Sequence, residues 1–367
     1  MNRSGRLFLL VSLLIALTGI ISIYSGTFQK QSGVFEGIYL RQALWVAFGA
    51  AAFFLVSRMN YRLLWDATYF LYAGMVFLLF LVFIMGIVKL GAQRWLRLGL
   101  LSFQPSEAAK LVMVIFLAKY FSDKSADSIS PAAQKFGLSR ALLIPLAFVI
   151  VPAALIIEQP DLGSGMLVLI LFMCMLYLSG IKLRYPLSLT AASLFMLPVG
   201  WHFLHGYQKE RIMVFLNPSI DPLGAGYTII QSRIAVGSGG LIGKGWLSGT
   251  QSQLHFLPES HTDFIFATFA EEWGFAGCLA LLLLYYLIIR EGIRISSQTG
   301  DAFGRLLAAG ISIMLFVQVM VNIAMNMGLA PVVGVPLPLM SYGGTSVLVT
   351  CISLGILANI SRTRAAY

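Results

Sequence analysis

Ten times in 367 residues the chain runs for sixteen residues or more with little or no charge: 7–23, 39–57, 66–88, 106–121, 141–157, 163–181, 186–204, 264–289, 304–327 and 341–360. A helix needs about 20 apolar residues to cross a bilayer. Only 11% of the residues are charged, against roughly 25% in a soluble domain, so the chain cannot cover a water-facing surface. The pattern predicts an all-α integral membrane protein of ten transmembrane helices, a single polytopic domain over 1–367.

Charge orients it. An even number of spans puts both termini on one side, where fifteen Lys and Arg fall (Arg3, Arg6, Arg58, Arg62 and Arg362 among them). Six fall on the other side once the long loop is set aside. That bias places both termini in the cytoplasm. The net charge of +10 is scattered through loops with no basic block, which suits topology signals and anionic head groups rather than nucleic acid. The first run follows Arg3 and Arg6 without a small-x-small cleavage pattern, and reads as an uncleaved span. Cys174, Cys278 and Cys351 each sit inside an apolar run, with no disulfide or zinc spacing, and read as packing residues.

One connection is long: about 205–262, an extracytoplasmic loop between the seventh and eighth helices. Tyr227, Trp246 and Phe256 make it too apolar for disorder, so it is expected to fold back over the outer face. Ten of the fifteen acids lie on or near that face.

The most telling acid is Asp263, where this polar loop meets the apolar eighth run. A carboxylate at the mouth of a span is costly to desolvate and marks a working site. Thr262 or Asp263 can instead cap the following helix, but Glu259 and His261 crowd more polar groups there than a cap needs. Burial beside Phe264 and Phe266 would raise the basicity of Asp263, as a general base requires. Glu271 and Glu272 lie two turns deeper and read as a buried hydrogen-bonded pair. The run that carries them is about 39 Å long as one helix, so it starts outside the membrane or breaks, at Gly274 or Gly277.

Other polar positions have competing readings. Arg94 and Arg97 flank Trp95 in an external loop, where they suit either forked binding of phosphate oxygens or head-group anchoring. Glu107 and Lys110 share a helix face and can pair inside the bundle or line a cavity. Glu158 and Asp161 frame a Pro-Gly turn and can shape a cavity or hold a cation. His202, His205, His255 and His261 cluster between 202 and 261, but no Cys accompanies them, and interface placement is simpler than a metal site. Gly237–Gly245 fails the phosphate-loop pattern because Gly245 follows Lys244 where Ser or Thr should stand; close backbone packing is expected. The Pro- and Gly-rich stretch Pro331–Ser346 reads as a cavity wall.

Several of these motifs together resemble one family. Leu257-Pro258-Glu259-x-His261-Thr262-Asp263-Phe264-Ile265-Phe266 with Glu271-Glu272, Gly91-Ala92-Gln93-Arg94-Trp95, Gln104-Pro105-Ser106-Glu107, Pro160-Asp161-Leu162-Gly163 and Ser341-Tyr342-Gly343-Gly344 are similar to the signatures of the SEDS family (shape, elongation, division and sporulation). Gly243-Lys-Gly-Trp-Leu-x-Gly-Thr-Gln-Ser-Gln253 resembles its elongation members more than its division members. The resemblance implies a peptidoglycan glycosyltransferase of the bacterial cytoplasmic membrane that polymerises lipid II at the outer face during elongation. It implies a class B penicillin-binding protein as partner, beside other elongation-complex membrane proteins, and places the family's essential loop aspartate at Asp263. Arg94, Arg97, Lys110, Glu107, Glu158, Asp161, His261 and Ser341 are then the candidate substrate-binding residues. The expected chemistry is an inverting displacement with Asp263 as base. Arg94, with Arg97 or Lys110, stabilises the departing pyrophosphate, or a divalent cation (magnesium or manganese) held by external acids does so. No dedicated metal ligands are assigned. A lipid II flippase is the alternative, disfavoured because the polar residues collect on the outer half.

Overall fold

A computed structural model of the chain describes residues 2–28, 37–89, 92–98, 101–125, 142–181, 184–222, 224–254 and 256–363; Gly91 and His255 fall outside them. The fold is mainly helical. Six helices are long and apolar enough to cross a membrane: α1 (Arg3–Thr27), α2 (Ile38–Arg58), α3 (Arg62–Met85), α12 (Ile265–Gln298), α13 (Ala302–Asn326) and α14 (Gly344–Thr363). Between α3 and α12 come α4 (Pro105–Ser125), the shorter apolar helices α5 (Ile144–Glu158) and α6 (Leu162–Leu178), and α7 (Arg184–Phe195), which Met196 separates from α8 (Leu197–Phe203). α13 packs along α12, α4 and α6, and α14 lies along α2. Helix ends that meet are stitched by polar side chains. Asn359 of α14, for example, donates to the Ser57 carbonyl at 3.0 Å and accepts from the Tyr61 N–H at 3.1 Å, satisfying groups the end of α2 leaves open.

Two features depart from plain helices. An all-α fold was expected, yet residues 87–103 carry a three-stranded antiparallel sheet, β1 (Ile87–Lys89), β2 (Ala92–Leu98) and β3 (Leu101–Phe103). β1 and β3 are too short to stand out, and the seven residues of β2, Ala-Gln-Arg-Trp-Leu-Arg-Leu, do not alternate cleanly between apolar and polar. Gln93 of β2 donates to the Val82 and Gly86 carbonyls, both at 3.0 Å, and so fixes the sheet to the end of α3. The long loop is itself helical, with α9 (Gly206–Leu216), α10 (Ala225–Ser238) and the short α11 (Thr250–Gln253).

The second departure is a break in α12 at Gly274 (φ 63°, ψ −164°). A helix break strands backbone groups that lipid cannot satisfy. Here the glycine-rich loop supplies them. Lys244 and Gly245 N–H groups donate to the Glu271 and Glu272 carbonyls, both at 3.0 Å, while Phe275 and Ala276 N–H groups donate to Gly240 and Leu241 carbonyls at 2.9 and 3.0 Å. A Cβ on Gly243 would stand 2.1 Å from the Glu272 carbonyl oxygen, so only glycine lets the two backbones meet. Glu271 secures the same loop from its side chain, accepting from Lys244 Nζ at 2.7 Å and from the Thr250 N–H at 2.8 Å.

Candidate active site

Asp263 ends the long loop just before α12, and the cap position itself falls on Phe264, with no side-chain cap bond. The Thr262 hydroxyl donates to Glu259 Oε2 at 2.9 Å instead. Capping therefore does not account for Asp263. Its carboxylate opens onto a cavity of about 560 Å³, whose wall includes Trp45, Trp95, Arg94, Arg211, Glu259 and His261. Val332, Gly334 and Pro336, followed by Tyr342, Gly343, Gly344 and Ser346, form one side of it, the wall expected of the Pro- and Gly-rich stretch. Burial raises the pKa of Asp263 to about 6, the Glu259 charge pushes the same way, and Arg94 and Arg211 oppose both. The carboxyl is thus a stronger base than a free aspartate yet ionised at neutral pH.

Across the cavity stands Arg94. Its Nε donates to the Gln159 carbonyl at 3.2 Å and its Nη2 to the Pro160 carbonyl, so the guanidinium grips the α5–α6 turn. Nη1 remains toward the cavity. A Cβ built on Gly334 would lie 3.6 Å from Asp263 Oδ2 and 3.7 Å from this Nη1. Gly334 has φ +73°, and its bare backbone keeps open the gap between acid and cation. Arg211 of α9 adds a second guanidinium, steadied by Nη1 donating to the Val332 carbonyl at 3.1 Å. Burial and the neighbouring Arg94 lower its pKa, while Asp263 holds it up.

The other expected site residues are placed differently. His261 lines the cavity with its ring against Tyr342, centroids 5.9 Å apart. Ser341 is buried behind the wall, donating to the Thr262 carbonyl at 2.7 Å and accepting from the Leu337 N–H at 2.8 Å, so it shapes the site without lining it. Asp161 is buried too; it caps α6 through the Ser164 N–H at 3.2 Å and accepts from Ser106 Oγ at 2.8 Å and Gln104 Nε2 at 3.2 Å. Glu107 and Lys110 form a buried pair at 2.6 Å, with 3% and 1% of their side chains exposed. Lys110, expected to serve as a cation for the pyrophosphate, is spent on Glu107 inside the bundle. Arg97 and Glu158 are exposed and do not border the cavity.

Reading the sequence missed Arg211 and the role of two asparagines, Asn322 and Asn326. Arg211 lies in the long loop with only charge to mark it, and the asparagines interrupt an otherwise apolar run. An intramembrane amide was the available signal. Among the described residues no three of His, Cys, Asp and Glu group to hold a metal ion. Glu259 and Asp263 are the two acids of the cavity wall, a pair that would hold magnesium only together with substrate phosphates.

Membrane helices enclosing a cavity with one tuned carboxylate and two guanidiniums, beside indole and phenol rings, describe a membrane-embedded protein built for an amphiphilic anionic ligand. The chain belongs to the FtsW/RodA/SpoVE family of cell cycle proteins, whose family pattern matches residues 5–366. It is 44% identical over 337 residues to the peptidoglycan glycosyltransferase MrdB of Escherichia coli (strain K12), covering 91% of this chain and 88% of that one. Among solved structures it is similar to a chain of a peptidoglycan synthase complex in which polymerization and crosslinking are coordinated, with TM-score 0.79, 30% identity and 97% of each chain covered. It is also similar to the rod shape determining protein RodA of Thermus thermophilus, with TM-score 0.70, 27% identity, and 97% and 96% covered.

Proposed function

We propose that this multi-pass protein of the cytoplasmic membrane is a peptidoglycan glycosyltransferase that polymerises lipid II into β-1,4 glycan at the outer face during elongation. The observation that carries the mechanism is that Asp263 Oδ2 and Arg94 Nη1 both face the gap above Gly334, 3.6 and 3.7 Å from where its Cβ would stand. Asp263 takes the proton from the acceptor 4-hydroxyl as its oxygen attacks the donor's anomeric carbon. The α-linked lipid pyrophosphate leaves from the opposite face, so the product bond is β. Arg94 and Arg211 stabilise the charge that develops on the leaving pyrophosphate. The topology that goes with this reading has ten crossings, the six long helices with α4, α5, α6 and the α7–α8 pair, both termini in the cytoplasm and α9–α11 over the outer face. A class B penicillin-binding protein is the partner that would crosslink the product. A flippase would need polar groups lining the whole crossing; Glu107, Lys110 and Asp161 are instead spent on each other and on helix starts.

The deciding experiment is polymerisation of purified lipid II by native protein and Asp263→Asn. Loss of a general base costs about 10²–10⁴ in rate. A folded Asp263→Asn protein that makes native amounts of polymer would overturn the assignment.

A further inference from the structure

Arg94 and Arg211 act on the Asp263 carboxylate through their charge, while its main chain is gripped from behind. Two asparagines hold that main chain. Asn322 and Asn326 stand one turn apart on α13, both fully buried. Both donate to the Asp263 carbonyl, at 3.1 and 2.9 Å. The same Asn322 amide donates to the Val335 carbonyl at 2.8 Å, and Val335 adjoins Gly334 on the cavity wall. Asn326 accepts from the Ala267 N–H at 3.1 Å and donates to the Asn322 carbonyl at 2.9 Å. Its own carbonyl takes the Ser232 hydroxyl of α10 at 2.7 Å.

Two primary amides in an apolar span are expensive unless their donors are used. Here the donors go to the carbonyls of Asp263, Val335 and Asn322, and the Asn326 side-chain oxygen accepts from the first turn of α12. A leucine would pack equally well but would tie nothing together. One amide group bridging Asp263 and Val335 fixes both sides of the gap into which the reacting atoms must fit.

We propose that Asn322, backed by Asn326, is a positioning residue for glycosyl transfer, its side-chain amide setting the Asp263 carboxylate against the Gly334 floor. The inference rests on Asp263 as general base. A displacement of about 1 Å in such a constellation costs on the order of 10²-fold in rate.

The test uses the full chain with lipid II and compares Asn322→Leu, Asn322→Gln and Asp263→Asn, with thermal unfolding measured in parallel. In Asn322→Leu, kcat is expected to fall about ten- to a hundredfold with KM little changed. The acid limb of its pH profile should move to lower pH, because a released carboxylate relaxes toward water. Glu259, Arg94, Arg211 and Asp161 still surround it and set the remainder of its pKa. Asn322→Gln keeps the donors but displaces them by a methylene, and should fall in between. A merely structural role would lower the melting temperature without moving the acid limb. Placed on Asp263→Asn, Asn322→Leu should cost much less than it does in the native background, since no base remains to be positioned. Native kcat and a native acid limb in a folded Asn322→Leu protein would overturn the proposal, as would a loss on Asp263→Asn as large as that in the native background. Should Asn322→Leu not fold, Asn322→Gln, alone and on Asp263→Asn, carries the same comparisons. Native polymerisation by Asp263→Asn alone would refute the general-base reading itself, and this inference with it.

Discussion

At pH 7 the Asp263 carboxyl is ionised in a site that favours its neutral form, because burial and Glu259 raise its pKa from 3.8 to about 6. The folded protein therefore holds a proton between those values that the unfolded chain has released. Stability from this group is fully present below about pH 4 and is lost as pH rises through about 6. The difference corresponds to about 3 kcal/mol at most, reduced to about 1–2 kcal/mol because the group opens onto the cavity. Asp263→Asn should accordingly melt a few degrees above the native protein at pH 7.5, with the gap closing near pH 4. Thermal unfolding at both pH values checks this, and a lower melting point at pH 7.5 would point to a packing role. Activity should run the other way, falling about tenfold per pH unit below 6 as the base is protonated.

The two guanidiniums should separate in the same assays. Arg94 spends Nε and Nη2 on the α5–α6 turn, whereas among the described residues Arg211 spends Nη1 on Val332. Arg211→Ala should cost one to two decades of turnover with little loss of stability, given about 1.5–3 kcal/mol for a charge-assisted hydrogen bond. Arg94→Ala should cost turnover and stability together, since two turn carbonyls lose their donors. Equal melting points for the two variants would mean that other donors reach the turn. Asp263 was legible because an acid at the edge of an apolar run has few other uses. Arg211 and Asn322 were not, because their roles depend on which backbone carbonyl each meets across the bundle.

At the scale of elements, the join between α12 and the glycine-rich loop sets where the loop sits. The length of the eighth apolar run already required either a start outside the membrane or a break. Choosing Gly274 over Gly277 depended on the loop's own backbone, which closes the break through four hydrogen bonds. Gly243 has φ +88° and no room for a Cβ, so Gly243→Ala should destabilise the protein by about 1–3 kcal/mol or more. Gly237, helical and with nothing within 4 Å of an added Cβ, is the control; Gly237→Ala should be neutral or slightly stabilising. Matching melting curves for the two would show that the join is loose. The same dependence on long-range pairing explains why the sheet at 87–103 escaped a reading that found the helices: β1 and β3 have three residues each, and the seven of β2, Ala-Gln-Arg-Trp-Leu-Arg-Leu, do not alternate cleanly, while spans of about 20 residues carry a clear pattern.

At the scale of the whole molecule, the site is divided between a bundle and a cover. Asp263 and the wall from Val332 to Ser346 belong to the bundle, whereas Arg211 lies on α9, and Thr228 and Ile229 of α10 close the cavity from the same loop. Among the described residues, the side-chain hydrogen bonds that tie α9 and α10 to the wall and α13 are those of Arg211 to Val332 and Ser232 to Asn326. Ala235 of α10 is buried against Phe264 and Ala267, so α9, tied to the wall by Arg211 at Val332, is the part of the cover expected to open at low cost, carrying Arg211 with it. A partner that packs on α9 and α10 need add only about 1.4 kcal/mol to raise a minor competent fraction nearly tenfold. The chain alone should thus polymerise lipid II slowly, and in complex with the proposed transpeptidase partner several-fold faster. A transpeptidase with its own active site disabled should activate equally well, and the complex containing Asp263→Asn should stay silent. Polymer from that last complex, measured by gel separation of labelled glycan, would show that the partner supplies the chemistry rather than the order.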